Sequence, residues 1–345
     1  MNANRILVRL PNWTGDVVMA TPALRALRAT FAGAQITAHV REELAPLLEG
    51  STHIDEILPL QSSQRGVRAS WREGRELAAR GFDLGICFPD SWSSVLLMRA
   101  AEVTEIAGYR RSFREILLHR SVAPLPEWGR HREVARERYL LHLVEALGCQ
   151  SRGTELELPL RSENEAEVAS LLGSAAGSGY VVLAPGAGNG AAKRWPAEQF
   201  ALTAEKLAKR GQRVVICGAP GEVHLAQQIC ELASSEILDL TGVIGLGGFK
   251  ALLAGADLLV CNDAGARHVA AAFGTPSIVL FGPTSMAKTD CNLERVRPLA
   301  AEVACRPCRL RECPTDHRCM RRIGVEEIVE QAGALAKEFS RVGAR

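Results

Sequence analysis

The sequence lacks any long apolar run: none approaches the roughly 18 consecutive residues that a membrane-spanning helix requires. The opening residues MNANRILVRL do not place a charged segment before an apolar one, as a secretory signal peptide does. Aromatic residues are few, whereas alanine, leucine, valine and glycine are plentiful, a composition that favours helices packed on parallel sheets. We therefore expect a cytoplasmic α/β protein.

A strong charge of either sign is also missing, since the formal net charge is +2. Such a balance gives no field that would predict a nucleic-acid partner, so charge has to be interpreted locally. A chain of 345 residues is too long for one ordinary core and predicts about two domains. Cys87, Cys217 and Cys261 lie in apolar, strand-like runs and are expected to be small buried residues.

Short β-branched runs alternate with longer helical stretches, the pattern of parallel sheets. Strands are predicted at residues 5–10, 35–40, 55–60, 82–88, 180–185, 213–218, 236–240, 257–262 and 277–282. A polar stretch near residues 150–165 separates two such series. We infer two Rossmann-like domains, residues 1–160 and 161–345, facing each other across a cleft. An amphipathic helix over 325–339 closes one of them, and residues 60–75 are predicted to form a loop.

A glycine-rich segment, APGAGNGAAKRWPAEQF at 184–200, directly follows a predicted strand. Gly186, Gly188 and Gly190 would let backbone amides approach an anion, and Lys193 would add a mobile positive charge. The segment matches neither the Walker pattern nor GxGxxG. A phosphate-binding loop and a glycine-rich turn with a solvated lysine both remain open.

The segment VCNDAGARHVAAAFGTPSIVLFGPT at 260–284 places Asp263 at the start of a helix, followed by Gly265 and His268. Free amides in the first turn of that helix would favour an anion or a sugar hydroxyl. The alternative is an ordinary N-cap aspartate with a buried histidine. Glu222 follows another strand of this half, where a carboxylate suits a ribose diol, and the alternative is a glutamate favoured simply by the first turn of a helix. Because these groups follow strands of one sheet, we expect them to converge on one ligand.

Asp16 follows Gly15 after the first strand, where an acidic residue would repel a phosphate. The helix dipole favours its ionised form, and the glycine leaves room for a substrate. A carboxylate in this position suits a general base that removes a proton from a hydroxyl. The alternative is a purely structural N-cap.

A basic stretch covers residues 108–140. Arginine's planar guanidinium suits bidentate recognition of phosphates or carboxylates. Arg110, Arg111 and Arg114, on a strand-to-helix connection, are the candidates for a functional role. The remaining arginines are interpreted as solvated helix face: Arg120, Arg130, Arg132, Arg136 and Arg138.

Five potential metal ligands lie close together near the end of the chain: Cys305, Cys308, Cys313, His317 and Cys319. They could ligate Zn²⁺ or an iron–sulfur cluster as a structural centre. Their spacing is more compact than that of a zinc ribbon, and reduced or disulfide-linked loop thiols are the alternative. A catalytic metal is not expected.

Taken together, WTGDVVMATPALRAL, PGAGNGAAKRWPAEQF and NDAGARHVAAAFGTPSIVLFGPT resemble the ADP-heptose:lipopolysaccharide heptosyltransferases of glycosyltransferase family 9. The cysteine segment looks more like the heptosyltransferase II branch than the heptosyltransferase I branch. The resemblance implies a GT-B fold and an inverting transfer from ADP-L-glycero-β-D-manno-heptose to a heptosyl-Kdo-lipid A type acceptor. It also implies that no metal cofactor is required, with a monomer working peripherally at the inner face of the inner membrane.

The resemblance further implies a role for each site residue. Asp16 is the base, and Gly15 lies beside it at the acceptor. The carboxylates and phosphates of the acceptor give Arg110, Arg111 and Arg114 a partner. The loop of Gly186, Ala187 and Lys193 contacts the diphosphate. Glu222 binds the adenosine ribose, and the main chain of 244–246 lines the adenine pocket. The heptose and phosphates are held by four residues: Asp263, Ala264, Gly265 and His268.

Two positions depart from the family pattern. Ala264 stands where many members have a hydroxyl residue, and Arg267 stands where an apolar residue precedes the histidine. The backbone amide at 264 would survive, so sugar selectivity is affected more than donor binding. Two other interpretations remain: a family 9 transferase with a different glycan or protein acceptor, and a non-catalytic nucleotide-sugar-binding protein. An NAD-dependent oxidoreductase is disfavoured because GxGxxG is missing.

Overall fold

The structure is a computed structural model that describes residues 3–60, 66–129, 133–173, 179–188 and 190–339. The chain divides into two compact units. Unit 1 comprises Met1–Pro159 with Ala287–Cys291, and unit 2 comprises Leu160–Met286 with Asn292–Arg345. Among the described helices, none combines the length and apolarity needed to cross a membrane.

Unit 1 is built on a six-stranded parallel sheet. Its strands are β1 (Arg5–Arg9), β2 (Gln35–Arg41), β3 (Glu56–Leu60), β4 (Leu84–Cys87), β5 (Glu105–Tyr109) and β6 (Arg120–Val122). Their order in the sheet is β3-β2-β1-β4-β5-β6. The four strands predicted in this half are confirmed, whereas β5 and β6 were missed because both are short and carry glycine or charged residues.

The described residues of this unit form five α-helices: α1 (Thr14–Val18), α2 (Thr21–Thr30), α3 (Val67–Leu77), α4 (Trp92–Ala100) and α5 (Arg136–Glu145). The predicted loop over 60–75 is wrong from residue 67 onwards, and residues 61–65 lie outside the described part of the chain. Gly74 looks like a helix breaker in the sequence. In the structure it is buried where α3 lies directly against α4.

Unit 2 repeats the same architecture. Its strands are β7 (Val181–Ala184), β8 (Val214–Ile216), β9 (Leu238–Asp239), β10 (Leu258–Asn262), β11 (Ser277–Leu280) and β12 (Val296–Leu299). The order β12-β11-β10-β7-β8-β9 is again parallel throughout. All five strands predicted here are confirmed, and β12 was missed. Cys87, Cys217 and Cys261 are buried in their sheets as predicted.

Within the described part of unit 2 there are seven α-helices: α6 (Ser162–Leu172), α7 (Ala197–Ala208), α8 (Val223–Leu232), α9 (Leu246–Gly255), α10 (Gly265–Ala272), α11 (Arg318–Arg321) and α12 (Val325–Glu338). The predicted closing helix is α12. It buries Ile328 and Leu335 in the core that surrounds Trp195 and Phe200.

Strand order fixes where a ligand can bind in each unit. In both sheets the chain first moves outward one way from a central strand and then returns to add strands on its other side. Ligands of such sheets bind beyond the carboxyl ends of the two strands where the order reverses. Those strands are β1 and β4 in unit 1, and β7 and β10 in unit 2. Asp16 follows β1, Lys193 follows β7, and Asp263 follows β10.

We predict that Gly74→Ala destabilises unit 1. A Cβ at this position would lie 2.4 Å from the Leu97 carbonyl oxygen and 2.7 Å from the Ala100 Cβ. Because backbone atoms would have to shift, we expect a loss of about 1–3 kcal/mol in the free energy of unfolding, measured by urea denaturation. Gly33→Ala is the matched control, since its Cβ would meet nothing within 4 Å. Equal stabilities for the two variants would contradict the packing argument.

Candidate active site

The loop after β7 carries Lys193 at the end of a short 3-10 turn, Ala191–Lys193. The Lys193 ammonium donates to the backbone carbonyl of Asp263, at 2.9 Å, and lies 3.3 Å from its carboxylate. The lysine side chain keeps about 20% of its surface exposed. A positive charge is therefore held at the carboxyl edge of the sheet, still open to an anion.

Asp263 does not act as a helix cap, contrary to the structural alternative raised by the sequence. Its carboxylate accepts a hydrogen bond from the Thr284 hydroxyl, at 2.6 Å, and pairs with Lys193. The N-cap of α10 is Ala264, whose side chain cannot accept a hydrogen bond. The first amides of α10, beginning at Gly265, consequently have no side-chain cap and suit an anion.

Asn262 is a site residue that sequence reasoning missed. Its fully buried amide accepts from the Trp195 backbone N–H, at 3.0 Å, and donates to the Pro185 carbonyl, at 2.7 Å. These bonds tie both ends of the glycine-rich loop to the end of β10. The available signal was a polar residue closing an apolar strand beside Asp263.

His268 lies in α10 and is buried, as the structural alternative proposed. Burial lowers its pKa well below the usual value, and the positive charges of Arg267 and Lys193 act in the same direction. The imidazole is therefore neutral at physiological pH. Its Nδ1 has no hydrogen-bond partner among the described residues. Arg267, a departure from the family pattern, is fully buried beside it.

Glu222 and Gly186 lie together at the edge formed by β7 and β8. The Glu222 carboxylate accepts the Ala219 backbone N–H at 2.9 Å. A Cβ on Gly186 would overlap that carboxylate, so the glycine allows the Glu222 side chain its present position. The next residue, Ala187, is buried. The main chain at 244–246 lies at the start of α9.

The cysteine segment, residues 305–319, forms hydrogen bonds with the loop after β7 and the loop after β11. The Arg311 carbonyl accepts the Ala192 N–H at 3.0 Å, and His317 Nε2 donates to the Ala192 carbonyl at 2.7 Å. The Arg306 guanidinium donates to the Gly282 carbonyl at 2.7 Å, on the loop that leads to Thr284. All ten cysteines are free thiols. Over the described ranges, no group of three or more His, Cys, Asp and Glu residues could hold a metal ion.

Asp16 lies in the first turn of α1, beyond the end of β1. It is half-buried, and no described residue forms a hydrogen bond or ion pair with its carboxylate. Gly15 beside it is buried and accepts the Met19 N–H through its carbonyl. The carboxylate is therefore available to a substrate on the face of unit 1 where ligands are expected.

The three candidate acceptor arginines have different surroundings. Arg114 is fully buried, with its guanidinium donating to the carbonyls of Tyr109, Pro89 and Ser91. The prediction that Arg114 contacts the acceptor is therefore wrong. The Arg114 guanidinium instead holds the turn of residues 110–117 in place. Arg110 and Arg111 are exposed, and Arg111 pairs with Asp90 at 3.2 Å.

The solvated-face interpretation of the other arginines holds only in part. Arg120 is exposed and pairs with Glu105, whereas Arg136 stacks over the Tyr139 ring. Arg138 pairs with Asp290, at 3.6 Å. Arg130 and Arg132 lie outside the described residues.

A doubly wound parallel sheet in each of two units, one of them presenting a lysine beside an uncapped helix start, is the architecture of the GT-B fold class. The family model described as "Glycosyltransferase family 9 (heptosyltransferase)" matches residues 70–318, so the chain belongs to glycosyltransferase family 9. The family resemblance predicted from the motifs is confirmed.

Named relatives agree with this assignment over nearly the whole chain. The lipooligosaccharide heptosyltransferase 2 of Campylobacter jejuni is 25% identical over 340 residues, covering 96% of this chain and 98% of that protein. The solved family 9 glycosyltransferase from Veillonella parvula has a TM-score of 0.84 at 21% identity, with 98% of each chain covered. The E. coli ADP-heptose lipopolysaccharide heptosyltransferase II has a TM-score of 0.80 at 24% identity, covering 97% of this chain and 99% of that one. These likenesses confirm the predicted GT-B fold.

We predict that His268 makes the protein less stable in mild acid. Because its folded pKa lies below the unfolded value, the unfolded chain binds the proton first, and stability present above pH ~6.5 is lost as pH falls. His268→Gln should reduce the dependence of the unfolding free energy on pH by up to about 1.4 kcal/mol per pH unit below pH ~6.5.

Urea unfolding at a series of pH values measures this dependence. His39, also buried with a lowered pKa, keeps its own contribution in the variant. His224→Gln serves as the control because His224 is exposed. An unchanged pH dependence in His268→Gln would show that the imidazole titrates alike in both states.

Proposed function

We propose that the protein is an inverting heptosyltransferase. It moves L-glycero-D-manno-heptose from ADP-L-glycero-β-D-manno-heptose to a hydroxyl of the lipopolysaccharide inner core, on an acceptor of the heptosyl-Kdo-lipid A type. The observation that carries this proposal is the Lys193–Asp263 pair beside the uncapped start of α10, in a family 9 chain. That arrangement suits a nucleotide diphosphate attached to a polyhydroxylated sugar.

The donor site belongs to residues 161–345 in this proposal. The amides of α10 and the Lys193 ammonium neutralise the diphosphate, whose negative charge grows as it leaves. Asp263, already oriented by Thr284, accepts hydrogen bonds from heptose hydroxyls. Glu222 takes the ribose diol, and the start of α9 lines the adenine. Because the chain supplies these cations and dipoles itself, the transfer requires no metal ion.

The acceptor site belongs to residues 1–160. Asp16 removes the proton from the acceptor hydroxyl as that oxygen attacks the anomeric carbon from the face opposite ADP. The new C–O bond forms while the bond to the β-phosphate oxygen breaks, and ADP departs with that electron pair. Arg110 and Arg111, both exposed, bind carboxylates or phosphates of the inner core. An acceptor carried on lipid A places a monomeric enzyme peripherally at the inner face of the inner membrane.

We predict that Asp16→Asn lowers kcat by about 10²–10⁴-fold, because the amide cannot take the acceptor proton. Donor binding should be unchanged, since the donor groups belong to other elements. Mass spectrometry of a defined truncated lipopolysaccharide follows turnover, and calorimetry measures ADP-heptose affinity. Glu102→Gln, an exposed acid of the same unit, is the control. Turnover near that of the parent would remove Asp16 from the mechanism.

Lys193→Gln should weaken ADP binding by roughly 10–100-fold, because it removes a charge-assisted contact to the diphosphate. It should also lower kcat, since charge on the diphosphate increases in the transition state. Calorimetry with ADP and steady-state kinetics measure the two effects separately. Lys209→Gln, at an exposed position of unit 2, is the control for loss of one positive charge. ADP affinity equal to that of the control would exclude a diphosphate contact.

A further inference from the structure

The segment Arg110–Leu117 of unit 1, here called the Phe113 turn, presents two large apolar side chains to solvent. Phe113 is 83% exposed and Ile116 is 75% exposed, the highest fractions among the large hydrophobic residues of the described chain. Residues 114–117 form a 3-10 helix with Phe113 as its N-cap. Both exposed side chains therefore belong to one short turn, three residues apart in the chain.

The turn is held rigidly in a conformation that non-glycine residues rarely adopt. Ser112 has a φ of 53° and Phe113 a φ of 61°, both left-handed. The buried guanidinium of Arg114 donates three hydrogen bonds to backbone carbonyls, and these bonds hold the segment in place. The indole of Trp92 donates to the Ser112 carbonyl at 3.0 Å. These contacts retain a strained backbone in which the Phe113 side chain points outward, and strain of this kind is often kept for a function.

Positive charge surrounds this apolar pair. Arg110 and Arg111 are exposed immediately before it and Arg120 is exposed after it, with Arg111 paired to Asp90 and Arg120 to Glu105. Trp92, itself 37% exposed, adds an amphipathic ring at the base. Aromatic and aliphatic side chains rimmed by arginine are typical of surfaces that sit at the boundary between lipid headgroups and acyl chains.

We propose that the Phe113 turn is a membrane-docking element, which inserts Phe113 and Ile116 into the interface of an anionic lipid bilayer while the flanking arginines contact headgroup phosphates. A bilayer suits this surface better than a protein, because two protruding side chains offer far less area than the roughly 1,000 Å² of a stable protein interface. Its biological purpose rests on the proposed function, in which the acceptor is lipid-linked. Binding is expected to be weak and reversible.

The test compares the parent with Phe113→Ser/Ile116→Ser in co-sedimentation with vesicles. The parent should bind vesicles rich in phosphatidylglycerol, bind pure phosphatidylcholine vesicles less, and dissociate as salt is raised. The double variant should lose roughly tenfold or more in affinity for the anionic vesicles, because two apolar contacts are removed. Phe113→Leu/Ile116→Leu should restore binding, since it keeps the apolar surface.

Val243→Ser is the matched control because Val243 is 58% exposed and lies in unit 2. Equal vesicle binding by the parent and the serine double variant would overturn the proposal, as would a parent that binds no vesicles. Binding that ignores lipid charge would refute the role of the arginines. Transfer to a deacylated, water-soluble acceptor separates this proposal from the function: the serine double variant should keep its kcat there, whereas absence of transfer by the parent would count against the function alone.

Discussion

The contact between the Lys193 ammonium and Asp263 is the constraint on which the candidate donor site of unit 2 depends. The loop after β7 is glycine-rich and has little regular structure, so its order comes from its attachment to the end of β10. Asn262 secures the two ends of that loop, and Lys193 secures its middle. Removing one partner from a largely buried pair leaves an uncompensated charge, so each group keeps the other in place. Thr284 completes the arrangement by fixing the orientation of the Asp263 carboxylate.

The two units use one topology for opposite electrostatic purposes. In unit 2 the helix after the reversal strand begins at Ala264 without a side-chain cap, which leaves its positive end open to an anion. In unit 1 the helix after β1 carries Asp16 in its first turn, and this carboxylate occupies the positive end. A phosphate is repelled there, whereas a neutral hydroxyl is not. In the mechanism that we propose, the acidic residue that looked misplaced in the sequence therefore distinguishes the acceptor side from the donor side.

Periodicity and strand-end chemistry predicted most of the fold and the positions of the candidate site residues. Nine strands and the closing helix follow from patterns that depend only on local sequence. The errors arose where tertiary packing decides the outcome. Gly74 breaks a helix by propensity, but contact with α4 requires it there. Arg114 resembles its exposed neighbours in the sequence, and only the carbonyls around it show that it is buried. The sequence suggested that Asp263 caps a helix, because its real partner, Lys193, lies 70 residues away and cannot be inferred from local sequence.

Two carboxylates, each beyond one of the two strands where the sheet order reverses in its unit, have different surroundings. Asp263 is 6% exposed, and its carboxylate contacts the Thr284 hydroxyl and the Lys193 ammonium. Its negative charge is therefore already paired and its orientation is fixed. Such a group can orient a sugar, but a proton on it would weaken the pairing with Lys193. Asp16 is half-buried, and the described part of the chain offers its carboxylate no partner. Proton transfer requires a base free to bind the proton, and of the two carboxylates only Asp16 meets that condition. The absence of a fixed partner among the described residues therefore supports the role of base that we propose for Asp16.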